Sequence, residues 1–319
     1  MSASLPPVCT AAIIGAGPAG LMAAEVLGGA GAAVSVYDAM PSPGRKFLLA
    51  GVGGMNLTHA EPRAAFLSRY GARRAHVEPL LDAFGPEALR DWAHGLGIDT
   101  FVGSSGRVFP ADMKAAPLLR AWLHRLRAAG VQIQARHRWL GWDGDGALRF
   151  ATPQGEVAVR ADVVVLALGG GSWARLGSDG AWVPLLARQG VDITPLQPAN
   201  CGFDVGWSEH FRTRHAGDPV KSVIVGLRDA DGGTLAQQQG EFVVTATGVE
   251  GGAIYALSAA LRDAIAAQGQ VTLWLDLAPG RDARQLATAL ARPRGKHSLA
   301  NHLRRQAGIA GVKAGLLRE

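Results

Sequence analysis

The feature that most constrains this chain is a glycine turn set between two apolar runs. Residues Ala11 to Ile14 read as a short strand, Gly15-Ala16-Gly17-Pro18-Ala19-Gly20 as a turn, and Leu21 to Leu27 as helix. Ala33 to Tyr37 reads as a second strand closing on Asp38. Each position has a physical task. Gly15 allows the tight turn, Gly17 lets a pyrophosphate approach the backbone, and Gly20 lets the helix pack close to the strand. The helix N-terminus then faces the phosphate charge. Asp38, about 20 residues beyond the glycines, can accept hydrogen bonds from ribose hydroxyls, and its charge would repel a 2′-phosphate. The pattern predicts a bound dinucleotide, FAD or NAD, and disfavours NADP in this place.

Other readings of the N-terminal segment fail. Val8 to Val36 carries one charge, Glu25, but its glycines, Pro18 and lack of flanking basic residues argue against a membrane span. Met1 to Thr10 has no positive region of the kind a signal peptide needs. The two cysteines, Cys9 and Cys201, have no metal or redox spacing, so a reducing, cytoplasmic setting is expected. The chain of 319 residues is long enough for two domains. Its net charge of +6 is uneven: Arg281 to Glu319 holds nine Lys/Arg against two acids. That confinement to the tail disfavours a nucleic-acid-binding protein, and an NAD-binding module with a basic nucleic-acid-binding tail is the most distant reading.

The choice between FAD and NAD turns on Ala128 to Gly171. The pattern predicts strands over Val131–Leu140, Ala147–Thr152 and Glu156–Arg160, then a buried apolar strand over Val163–Leu168 ending in Gly169-Gly170-Gly171. That is a β-meander where an NAD domain would use a helical crossover. A meander here resembles the FAD domain of glutathione-reductase-like flavoproteins. FAD is long and needs a second run of backbone, which "GRKFLLAGVGGMNLTHAEP", Gly44 to Pro62, can supply. The N–H groups of Gly51, Gly53, Gly54, Asn56, Leu57 and Thr58 would form an oriented donor set, with Arg45 and Lys46 neutralising phosphate.

Six stretches together carry a family resemblance: "IIGAGPAGLMAA", "PSPGRKFLLAGVGGMNLTHAEP", "GSSGRVFPADMKAAPLLRAWL", "LALGGGSW", "GEFVVTATGVEGGAIYALS" and "KHSLANHLRRQAGIAGVKAGLLRE". In this order they resemble the RsdA/BaiN/AoA(So)-type bacterial flavoproteins, described as NAD(P)/FAD-dependent oxidoreductases or aminoacetone-oxidase-family FAD-binding enzymes. The resemblance implies an α/β fold: an FAD-binding Rossmann domain over residues 1–190, with a helical excursion at 62–97, and a β-rich insert domain with C-terminal helices over 191–319. It implies FAD contacts at Gly15, Gly17, Pro18, Ala19, Gly20, Asp38, Arg45, Lys46, Gly53, Gly54, Asn56, Leu57, Thr58, Gly169 and Gly170. It also implies hydride transfer between flavin N5 and a small organic substrate, by amine oxidation or enone-type reduction, with NAD(P)H as a possible electron donor. Family members return to the FAD domain after the insert; the chain stops at Glu319 without that segment, so a truncated, non-catalytic FAD-binding fragment is the alternative expectation.

Residues with their own acid–base or metal chemistry are sparse. Cys201 has no adjacent base, and His210 and His215 are poorly spaced for a metal, so no metal site is expected. His59 follows the glycine loop. Arg107 and Lys114 precede a helix start and, by the resemblance, lie on the substrate side of the flavin, where a cation could stabilise the charge that develops at the N1–C2 end. The tail "HSLANHLRRQAG" predicts an amphipathic helix with Ser298 as N-cap and Leu299, Leu303 and Ala307 on one face.

Overall fold

A computed structural model describes residues 8–50, 54–229 and 231–319. The chain divides into two compact units, Met1–Leu196 and Gln197–Glu319.

The first unit begins with β1 (Thr10–Ile14), α1 (Pro18–Gly29), β2 (Ala33–Asp38) and α2 (Arg45–Ala50). The Gly44 segment therefore does start with a helical turn, closed by Leu48 N–H donating to Gly44 O. Next come β3 (Thr58–His59), α3 (Arg63–Ser68), α4 (Arg74–Ala83) and α5 (Pro86–Gly95), then the hairpin β4 (Thr100–Val102) and β5 (Arg107–Pro110). After α6 (Ala115–Ala128) the chain forms β6 (Gln132–Ala135), β7 (Arg138–Trp142), β8 (Leu148–Thr152), β9 (Gly155–Val159), β10 (Val163–Leu166) and α7 (Val183–Ala187).

The parallel sheet has the order β10-β1-β2-β6. Period-2 alternation sends β1 side chains to two different cores. Ala11 and Ile13 join Leu21 and Ala24 of α1 and Leu119, Trp122 and Leu126 of α6. Ala12 and Ile14 join Tyr37 and the meander residues Trp139, Leu148 and Phe150. Phe150 is fully buried and stacks on Tyr37 with ring centroids 4.5 Å apart. Each such side chain is worth about 1.5–3 kcal/mol of burial. At the helix interface, Glu25 of α1 accepts the indole N–H groups of Trp92 and Trp122 and a guanidinium N–H of Arg125.

Two sequence expectations need correction here. The strand expected over Val131–Leu140 divides into β6, parallel to β2, and β7, the first strand of the antiparallel β7-β8-β9 meander. The break falls at Arg136, whose φ of 59° lies in the left-handed region and ends the strand. The apolar strand β10, expected to be buried, is an edge strand: Val163, Val164 and Leu166 are exposed, because it pairs with β1 alone among the described residues.

The second unit contains β11 (Phe203–Asp204), α8 (Glu209–His215), β12 (Pro219–Arg228), β13 (Thr234–Val244), β14 (Gly248–Glu250), α9 (Gly252–Gln268), β15 (Leu273–Asp276), α10 (Ala283–Leu290), α11 (Leu299–Ala307) and α12 (Val312–Leu316). Its antiparallel sheet runs β11-β14-β13-β12-β15. In β12 the buried set steps from Val220 to Val223, then Val225 and Leu227. The three-residue step is a bulge, with Ser222 at φ 50°, and it re-phases the apolar side chains onto one face. Ile254, Leu257 and Leu261 of α9 cover that face at helical spacing. β13 extends back to Thr234, although Thr234 to Glu241 holds too few apolar residues to show a strand's alternation. Ser298 caps α11 through Asn301 N–H, as its position predicts. On that helix Ala307 and His302 are buried, whereas Leu299 is exposed.

Candidate functional site

The first turn of α1 opens a cleft of about 420 Å³. Gly15, Gly17, Pro18, Asp38, Arg45, Lys46, Gly169 and Gly170 all line it. Gly15 has φ 107°, and a Cβ there would run into the Ala167 carbonyl of the strand end beside it. Gly17 is different. It has ordinary extended geometry, and a Cβ on it would meet no protein atom within 4 Å. Its missing side chain thus leaves free space directly before the N-terminus of α1, where unpaired N–H groups and the helix dipole favour an anion.

Asp38 is held rigidly at the end of β2. Its two carboxylate oxygens accept the N–H of Ala16 at 2.6 Å and of Met40 at 2.7 Å. Each oxygen keeps a further lone pair for a ligand hydroxyl. Across the cleft, Lys46 Nζ donates to Ser172 Oγ at 2.8 Å. The indole of Trp182 donates to Gly169 O at 3.1 Å and fixes the glycine turn that follows β10.

Among the described residues, three buried side-chain polar atoms lack a partner: Arg45 Nε, Ser178 Oγ and Trp139 Nε1. Arg45 and Ser178 belong to the lining of this cleft. Trp139 lines a smaller recess of about 90 Å³ that shares Gly15, Asp38, Leu168 and Gly177 with it. A buried donor without an acceptor costs about 1–3 kcal/mol, so two such donors in the cleft lining and a third in the recess that adjoins it fit a site whose acceptors come with a ligand. In the recess, Arg138 pairs with Asp179 at 3.1 Å. Burial pushes the Asp179 carboxyl up, but the Ala181 N–H and the Arg138 guanidinium outweigh it and leave it below the ordinary range.

Other sequence candidates lie elsewhere. Ala19 and Gly20 sit in the first turn of α1, outside the cleft lining, with Gly20 packed on the Gly15 carbonyl. Gly51 and Gly53 lie outside the described residues. Gly54, Asn56, Leu57 and Thr58 run alongside β5. The Leu57 N–H is not available to a ligand, because it donates to Val108 O at 2.8 Å, and Asn56 Nδ2 donates to Thr58 O. His59 accepts the Glu61 N–H at Nδ1, leaving Nε2–H to donate to Ser105 O, and it lines a separate cavity among α3, α4 and α5. Arg107 and Lys114 are exposed, at the start of β5 and at the N-cap of α6, and neither lines the Gly15 cleft.

Sequence reasoning missed Ser178, Gly177, Met40 and Ser172. The run Gly177-Ser178-Asp179-Gly180 carried a turn signal, and an Asp179 Oδ1 to Ala181 N–H bond forms there. Nothing local, however, marked it as facing β2. Among the described residues there is no group of three or more His, Cys, Asp or Glu that could hold a metal, and no helix is long and apolar enough to cross a membrane.

Comparison with known proteins gives a family match: the HI0933-like protein Rossmann domain matches residues 9–274. A 3-dehydro-bile acid delta(4,6)-reductase from Clostridium scindens is 27% identical over 281 residues, 87% of this chain and 66% of that protein. A ribosomal RNA dihydrouridine synthase from Escherichia coli is 26% identical over 253 residues, 78% of this chain and 60% of that protein. The chain thus spans less than two thirds of the length of these curated relatives. Among solved structures, a flavocytochrome c3 fumarate reductase in its open conformation aligns with 68% of this chain and 48% of its own, at 16% identity and a TM-score of 0.43, a local rather than a global likeness.

Proposed function

The chain belongs to the HI0933-like family of Rossmann flavoproteins, and from that premise we propose that it binds FAD and reduces an activated carbon–carbon double bond of an organic substrate. The observation that carries the cofactor is the clustering of Arg45, Ser178 and Trp139, with their unpartnered buried donors, around the Gly15–Pro18 turn. In this reading the open space at Gly17 and the N-terminus of α1 receive the pyrophosphate, Arg45 and Lys46 offset its charge, and Asp38 accepts from ribose hydroxyls. FAD, when bound, supplies the hydride chemistry, and the protein supplies orientation and electrostatics. Reduction is favoured over amine oxidation because the two curated relatives are named for a reductase and a dihydrouridine synthase activity. NAD(P)H is the proposed electron donor.

The test is a sequence of spectra. Purified protein is incubated with FAD, desalted and scanned; a retained two-band flavin spectrum supports cofactor binding, and a colourless protein counts against it. Anaerobic NADPH should then bleach the flavin, and an enone should restore the colour. Peroxide release from aminoacetone, without enone turnover, would replace reduction by oxidation. Retained flavin that no donor reduces would favour a non-catalytic FAD-binding protein instead.

A further inference from the structure

The basic tail of the second unit has no part in the flavin reading, yet it is organised. α10 and α11 pack through Leu286, Leu290 and Leu303 against the buried Ala307 and Ile309. Beside that seam lies a cleft of about 720 Å³ lined by Arg281, Arg284, Arg292 and Arg305. Asp282 is the one carboxylate in its lining, and its Oδ1 is engaged in capping α10 through the N–H groups of Arg284 and Gln285. Arg284 and Thr288 stand one turn apart on α10, about 6 Å along its axis, and Arg292 follows two residues past the end of that helix.

A purely structural origin for these arginines would show in ion pairs to neighbouring acids. None of the ion pairs among the described residues uses any of the four, and all four are exposed. Two of them are nonetheless held in place: Arg281 donates to Gln306 O at 2.7 Å, and an Arg305 guanidinium N–H lies 2.8 Å from His297 Nε2. Guanidinium groups held close together repel, and an oxyanion ligand would relieve that repulsion. The planar Arg fork matches phosphate oxygens bidentately. The lining has no aromatic or large aliphatic side chain, so it lacks the apolar face of a membrane-surface helix.

We propose that the α10–α11 cleft binds the phosphodiester backbone of a nucleic acid, positioning the strand by charge rather than reading its bases. The proposal does not depend on flavin, and its test uses the full chain without added FAD. Fluorescein-labelled single-stranded RNA and DNA of one sequence are titrated by anisotropy between about 50 and 200 mM salt. Binding should weaken steeply with salt. Arg284→Gln with Arg292→Gln should lower affinity about tenfold at low salt, irrespective of base sequence, and reduce the salt slope by about 1.4. Arg284→Lys with Arg292→Lys should keep most of that slope, since the charge remains. An unchanged melting temperature in the Gln pair separates this loss from unfolding. Binding of RNA, DNA or both, lost in the Gln pair, supports the cleft and names the source of the phosphate. The proposal is overturned if neither strand binds, if the Gln pair leaves the slope unchanged, or if anionic phosphatidylserine vesicles bind and the nucleic acids do not.

Discussion

Gly20 packs so tightly on Gly15 that a Cβ on Gly20 would fall inside the Gly15 carbonyl oxygen. The two glycines hold α1 against β1, whereas Gly17, between them, touches nothing on its side-chain side. One motif therefore separates into packing glycines and, on the proposed cofactor reading, a glycine that leaves room for phosphate. Gly20→Ala should lower stability by about 3 kcal/mol, because the obstructing atom is backbone and cannot rotate away. Gly17→Ala should leave stability within about 0.5 kcal/mol of the parent while weakening FAD binding at least about tenfold, since the new methyl enters the proposed phosphate space. Denaturant melts and FAD titration measure the two effects. Equal loss of stability in both variants would show that Gly17 too is a packing glycine.

Arg45 and Ser178 offer a second separation. Their donors, Nε and Oγ, are buried and have no hydrogen-bond partner. Removing such a donor relieves a desolvation cost rather than breaking a bond. Ser178→Ala and Arg45→Met should thus melt no lower than the parent, and each should bind FAD about tenfold more weakly, the loss of a hydrogen bond to a charged ligand. A variant that destabilises the protein but binds FAD normally would mean that its donor serves the fold.

Much of this site could be read from the chain because its information is local. Gly15 to Gly20 and Asp38 lie within one strand–helix–strand unit, and that unit alone brings Gly15, Gly17, Pro18 and Asp38 into the lining of one cleft. The turn residues Asp143-Gly144-Asp145-Gly146, between β7 and β8, are likewise local, and the Asp143 carboxylate there accepts the Asp145 and Ala147 N–H groups. What was not legible depends on distant pairing. No short-range pattern ends β6 at Ala135, since the break rests on Arg136 adopting a left-handed conformation beside Met40, whose carbonyl accepts its N–H. The availability of the Leu57 N–H could not be judged either, because its acceptor, Val108, lies 51 residues on. Ser178 enters the cleft by the same kind of tertiary closure. The arginines in and around α10 were visible as charge, but their concavity with Arg305 exists only once α11 has packed.

The strands that carry the cleft are pinned at their starting ends by Asp162 and Thr10, and that contact should respond to acid. Asp162 Oδ2 accepts the Thr10 N–H at 2.8 Å and the Thr10 hydroxyl at 2.7 Å, and the Asp162 N–H donates back to Thr10 Oγ1 at 3.1 Å. The Thr10 N–H, then its hydroxyl, outweigh the opposing effect of burial and hold the carboxyl below the usual aspartate value. Between the folded and unfolded pKa values the unfolded chain binds more protons, so stability rises with pH across that window. The contribution is fully present above about pH 4, the unfolded aspartate value, and is lost as pH falls through the lower folded value. Asp143 and Glu156 are depressed as well, so the acid limb of the parent alone cannot isolate Asp162. The difference in melting temperature between parent and Asp162→Asn can. It should be largest well above about pH 4 and shrink as the pH falls through the lowered folded value. A difference that stays constant over that range would mean that the asparagine loses shape or hydrogen bonding, and that the charge of Asp162 contributes nothing to holding β1 beside β10.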